Sequence, residues 1–132
     1  MSEYEALVAS GCTGSMKRDV LLEAASDIEY LVQVRELFRS ASAAAARDAK
    51  DYTLRLVREL VDAGYCRVAT WTGGPQAYGG LPIVEVTLTA GELAQIVARY
   101  EDHGTNPFDY FLVATDHGRG WVARYVELVG QL

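Results

Sequence analysis

The sequence predicts an α+β domain: three N-terminal helices, a small β-sheet with a helix inserted between two of its strands, and a C-terminal helix. Three observations carry this. Leu54, Leu56, Val57, Leu60 and Val61 fall on one side at about 100° per residue, and Gly64 follows as a left-handed stop. Directly after it, Cys66 to Trp71 changes to the composition of a strand, ended by Thr72-Gly73-Gly74-Pro75. A further alternating segment, Ile83 to Leu88, leads through Thr89 and Glu92, spaced as a capping box, into a second helical pattern.

Taken in order, a first helix runs from about Lys17 to Ala25. Its consecutive Val20, Leu21 and Leu22 spread apolar surface around more than one stripe, which suits a buried helix or half of a homodimer contact. Ser26 and Glu29 have capping-box spacing and predict a second helix through Arg39, with Ile28, Leu31, Val34 and Phe38 facing inward. Ser42 is the expected N-cap of the next helical stretch, which the alanines at 43–46 enter with high propensity. Tyr65 is expected to fold back on the last turn of the third helix.

Residues 72–82 read as a glycine-rich loop containing Tyr78. Val84, Val86 and Leu88 alternate with Glu85 and Thr87, the pattern of a half-exposed strand. Leu93, Ile96, Val97 and Tyr100 then share one helix face, which Gly104 ends. Phe108 to Thr115 is apolar on both faces and predicts a central or doubly covered strand. In the last segment, Gly120 to Leu132, Trp121, Val122, Tyr125, Val129 and Leu132 cluster on one helical arc.

These elements form a single domain over residues 1–132: a helical core and first strand (17–71), an inserted loop, strand and helix (72–107), and a last strand and helix (108–132). Half of the residues are hydrophobic and 23% are charged, which excludes a disordered chain, a collagen and a coiled-coil rod. Cys12 and Cys66 are too few for a disulfide scaffold. The first residues lack the basic and apolar regions of a signal peptide, and the longest uncharged run, 68–84, is broken by glycine and proline. The expectation is a reduced, cytoplasmic protein with no membrane partner.

The run Leu56-Val57-Arg58-Glu59-Leu60-Val61-Asp62-Ala63-Gly64-Tyr65 resembles the winged-helix pattern in which a third helix passes through L-x-x-x-G into the first wing strand. Thr115-Asp116-His117-Gly118-Arg119 resembles the L-T-x-x-G-R that ends the second wing strand in regulators of the MarR and PadR type, with Ala114 in place of the leucine. The chain is also similar to small actinobacterial proteins with such a helix and a diverged wing. The resemblance covers roughly residues 18–71 and 108–130 and implies a winged-helix-like fold. Residues 72–107 depart from it, because they place a loop, a strand and a helix where a wing is usually a short hairpin.

The net charge of −6 argues against indiscriminate nucleic-acid binding, but its distribution is uneven. Residues 1–34 and 72–132 are each net −4, whereas 35–71 is net +2. A DNA-binding regulator is therefore one reading, with Arg47 and Lys50 at the start of the third helix and Arg119 at the wing end as its contacts. Against it, Arg47–Asp51, Asp51–Arg55, Arg55–Glu59 and Arg58–Asp62 are all i,i+4 pairs of opposite sign. Such pairs stabilise a helix by about 0.2–0.5 kcal/mol each and hold arginines away from phosphate.

Catalytic vocabulary is thin. No metalloprotease, nucleophile-elbow or dinucleotide motif is present, and the Gly11–Lys17 stretch lacks the end of a phosphate loop. His103 suits a helix C-terminus, and His117 a turn beside Asp116. Cys66, at a strand start, is expected to be buried and inert. The expectation is a protein that is not an enzyme and holds no metal or cofactor. The remaining feature is an aromatic and acidic second half. Tyr78, between glycines, with Glu85, Glu101, Asp102, Asp109 and Asp116, suits the docking of a basic protein partner. An acidic protein-binding module of the immunity or antitoxin kind is the leading reading.

Overall fold

The computed structural model describes residues 16–72, 82–101 and 109–130. In chain order these form α1 (Met16–Ser26), β1 (Glu29–Tyr30), α2 (Leu31–Ala41), α3 (Ala43–Arg47), α4 (Ala49–Asp62), β2 (Cys66–Trp71), β3 (Ile83–Val86), α5 (Ala90–Ala98) with a 3-10 turn over Arg99–Glu101, β4 (Tyr110–Ala114) and α6 (Asp116–Gly130). The strands make one antiparallel sheet in the order β1-β4-β2-β3.

β4 is central, as its apolar composition predicts. On one side it pairs with β1 (Glu29 opposite Leu112), and on the other with β2, from Cys66 opposite Ala114 to Thr70 opposite Tyr110. The alternation of a strand then divides its side chains between two faces. Leu112 and Ala114 join Cys66 and Val68 against the helices, where Leu31, Val34, Phe38, Leu56 and Leu60 complete the main core. Phe111 and Val113 join Ala69 and Trp71 in a second buried cluster, with Ile28 and Tyr30 packed against it. The Tyr30 and Trp71 rings lie 5.8 Å and 4.8 Å from that of Phe111. β2 and β4, the strands the winged-helix resemblance assigns to the wing, are hydrogen-bonded neighbours, and β3 and α5 lie between them in sequence.

Several local expectations hold in detail. Gly64 takes a φ of 80° after α4, with its N–H donating to Val61 and that of Tyr65 donating to Leu60, the two bonds of a Schellman end. Ser42 caps α3 by accepting from the Ala45 N–H at 3.0 Å. Both bonds of the Thr89–Glu92 capping box are formed at the start of α5.

Three expectations are corrected. Ser26 and Glu29 do not cap a helix: the Ser26 hydroxyl donates to the Leu22 carbonyl inside α1, and α2 begins at Leu31. Pairing of Glu29 and Tyr30 with the central strand outweighs the local signal, since each ladder bond is made beside buried apolar contacts. The third helical stretch is divided at Asp48 into α3 and α4. The last helix begins at Asp116 rather than at Gly120, because Thr115 supplies its cap: the Thr115 hydroxyl accepts from the Gly118 N–H, and its carbonyl from that of Arg119.

Thr115 also ties the ends of α4 and β4 together. Its N–H donates to the Tyr65 carbonyl at 3.0 Å, and its hydroxyl donates to the Gly64 carbonyl. Gly118 lies against the Tyr65 carbonyl so closely that a Cβ there would collide with backbone. Alanine ordinarily stabilises a helix interior over glycine by about 1 kcal/mol. Gly118→Ala should instead lower unfolding free energy by about 1–3 kcal/mol in urea titration, as overpacking against a fixed backbone does. Glu29 generates a second expectation. Burial, and secondarily the charge of Glu23, push its carboxyl from 4.5 up to about 7. The fold favours its protonated form, so that contribution is complete below about pH 4.5 and is lost as pH rises through about 7. Glu29→Gln should remove a pH-dependent loss on the order of 2–3 kcal/mol between those values, read from denaturation midpoints across pH.

Candidate interaction surface at the outer strand

β3 ends the sheet. Its four residues pair with β2, and no hydrogen bond from another described residue reaches its other edge. The alternating pattern predicts Val84 to face inward with Val86 and Leu88. Val86 and Leu88 do pack on the main core, but Val84 is 47% exposed. Ile83, its neighbour on the opposite face, is 45% exposed. Successive large apolar side chains are thus turned to solvent on both faces of one edge strand.

A cleft lies on each side of this strand. On the face of Trp71, a cleft of about 580 Å³ is bounded by Ile83, Glu85, Asp27, Arg67, Asp116 and Arg119. On the helix side, a cleft of about 450 Å³ has Val57, Val61 and Leu93 among its walls, with Arg58 and Asp62 from α4 beside them. Arg67 and Glu85 border both. The acidic side chains of the first cleft outnumber its basic ones, and Arg119 lies 3.5 Å from Asp116 at an exposed position. That pair is too well solvated to hold either side chain firmly.

Of the six residues proposed for partner binding, the structure brings Glu85 and Asp116 to one cleft. Asp109 is corrected: it is 3% exposed and unavailable to a partner. Its Oδ1 accepts from the Tyr100 hydroxyl and from the Tyr110 N–H, both at 2.9 Å, while its carbonyl accepts from Thr70. Burial raises its carboxyl above the usual range against the lowering effect of those bonds, and burial together with Asp109 raises the Tyr100 phenol. Asp109 is therefore a structural acid that joins α5 to the start of β4. Glu101 ends the 3-10 turn. Tyr78 and Asp102 lie outside the described residues, as do Cys12 and His103.

The residues proposed for DNA are not gathered. Arg47 stands exposed at the end of α3 and Lys50 in the first turn of α4, whereas Arg119 is on α6, whose first turn packs on Tyr65 just past the other end of α4. The fourteen residues of α4 separate them by about 20 Å. The charge pairing on that helix is also partly corrected. Arg55 reaches Glu59 at 3.4 Å, and Lys17 reaches Glu59 at 3.0 Å. Arg47, Asp51, Arg58 and Asp62 enter no ion pair among the described residues; the break at Asp48 takes Arg47 off the helix that carries Asp51.

Cys66 is fully buried, with its thiol pushed up to about 12 by burial. The His117 ring stacks on that of Tyr65 at 4.7 Å in the first turn of α6, not in a free turn as expected. No described helix is long and apolar enough to cross a membrane. Comparison with protein-family models, with curated proteins and with solved structures finds no match to this chain.

Sequence reasoning missed Ile83, Val84, Asp27 and Arg67. Each joins the surface only through the position of β3 at the sheet edge, for which the sequence carries no local signal. Removing the bond between Tyr100 and the buried acid isolates the structural role of Asp109. Tyr100→Phe should lower stability by about 1–2 kcal/mol in chemical denaturation, the worth of a buried bond whose acceptor keeps a second donor.

Proposed function

We propose that this chain is a non-catalytic protein-binding module, of the immunity or antitoxin kind, that docks a basic protein on β3 and the acidic cleft beside it. The observation that supports this most is the adjacent exposure of Ile83 and Val84 on an edge strand. Scattered surface apolar residues are ordinary, but exposed strand edges are normally guarded by lysine, proline or a covering segment. Within β3 the guard is Glu85 alone. Glu85, Asp27 and Asp116 outnumber Arg67 and Arg119 at the same place and leave it net negative, which would raise the rate of encounter with a cationic surface.

A winged-helix DNA-binding regulator is the second reading. It is favoured by the direct pairing of β2 with β4 and by the exposure of Arg47, Lys50 and Arg58, which enter no ion pair among the described residues. Arg119 weakens it, being distant from the start of α4. Two measurements separate the readings. Mixed-sequence duplex DNA should bind weakly at 50 mM salt; tight binding that collapses by about 10³-fold or more at 200 mM would favour the regulator, because several phosphate contacts produce that slope. In native lysate, wild-type protein should retain a basic protein that the Glu85→Lys/Asp116→Lys variant holds at least tenfold less. Equal retention by both overturns the docking surface.

A further inference from the structure

We infer that β3 recognises its partner by strand addition, taking up an extended segment that alternates basic and apolar residues. This rests on the protein-binding reading and specifies how the partner is held. In an antiparallel pair, half of the backbone N–H and C=O groups of an edge strand point away from its neighbour. In β3 those groups meet no hydrogen-bonding partner among the described residues, and Ile83 and Val84 form no cover over them. The backbone of an added strand would satisfy them in the manner of other edge-binding domains.

The two clefts give the added strand its side-chain preference. Successive residues of a strand point to opposite faces, and the clefts lie on opposite faces of β3. One set of alternate side chains faces the cleft in which Glu85, Asp27 and Asp116 outnumber Arg67 and Arg119, a net negative balance that suits lysine or arginine. The other set lies on the face of exposed Val84 and of the cleft walled by Val57, Val61, Val86 and Leu93, with Arg58 and Asp62 at its border, which suits valine or isoleucine. A second copy of the same strand fits poorly, since two-fold antiparallel pairing of β3 puts Glu85, Asp27 and Asp116 of both copies on the same face of the joined sheet. The occupant is therefore an extended, cationic segment of a different protein.

The probe is an eight-residue capped peptide alternating lysine and valine, compared with a peptide of the same composition in two blocks, all lysines first and all valines after them. Fluorescence anisotropy should show the alternating peptide binding at least tenfold more tightly, and hydrogen exchange should slow at the outward amides of β3. Glu85→Lys should weaken binding at least tenfold, and Glu85→Gln by less, with unchanged circular dichroism in both. Equal binding of the block peptide, or protection confined to other elements, overturns strand addition. So does protection of β3 that rises with protein concentration when no peptide is present, which marks self-pairing. If a basic lysate protein is retained through Glu85 and Asp116 while β3 amides exchange as in the free protein, strand addition fails and the protein-binding reading stands. If retention is also indifferent to those charges, both fail.

Discussion

The bonds between Thr115 and the backbone of Gly64 and Tyr65 hold the architecture in register. α4 can end in a Schellman turn because Gly64 accepts a positive φ, and that turn leaves two carbonyls in need of donors. Thr115 supplies both, with its N–H and its hydroxyl, and the same hydroxyl accepts from Gly118 to start α6. One residue therefore fixes where β2 begins beside the end of β4, so that Cys66 falls opposite Ala114. A slip of one position would turn Phe111 and Val113 into the helical core and Leu112 out of it. Both buried clusters depend on this junction.

Much of the architecture could be read from residues whose meaning is local. Gly64, Ser42 and the Thr89–Glu92 pair act through bonds to backbone within a few positions, so their types and spacing are sufficient. The doubly apolar segment around Phe111 and Leu112 identified the central strand for a similar reason, because both of its faces had to be covered. Ser26 and Glu29 misled because the competing interaction is remote. The partner of Glu29 is Leu112, and no pattern near position 29 announces it. The dividing of the third helical stretch at Asp48 is likewise set by packing: Ala45 and Ala49 are both buried, and no glycine or proline marks the break.

The proposed interaction surface was less legible than the fold. Glu85 and Asp116 were recognisable as acidic candidates, yet Asp109, chosen on the same grounds, is sequestered by Tyr100 and Tyr110. Charge type does not reveal solvent access, which depends on what lies on the other side of a strand. Val84 shows the converse. Its alternation with Glu85 is that of an inward residue, but at the sheet edge the helices cover Val86 and Leu88 and leave Val84 open. The polarity of the helical centre was visible in composition, whereas the separation of Arg47 from Asp51 depended on a helix break.

The insertion of β3 and α5 between the two strands that pair at the sheet's centre has a consequence during synthesis. A chain emerging from the ribosome presents α1 to β2 well before β4 exists, because Thr70 must wait for Asp109 and Tyr110. At about 5–20 residues per second, the intervening segment occupies the exit tunnel and its mouth for several seconds. Throughout that interval β1 has no strand beside it, and β2 can pair only with β3, on its outer side. The side chains of Cys66, Val68, Ala69 and Trp71 lack the β4 surfaces that later bury them. Closure of the sheet is thus a late, long-range event, and the nascent chain passes through a stage in which the sides of β1 and β2 that later pair with β4 are bare.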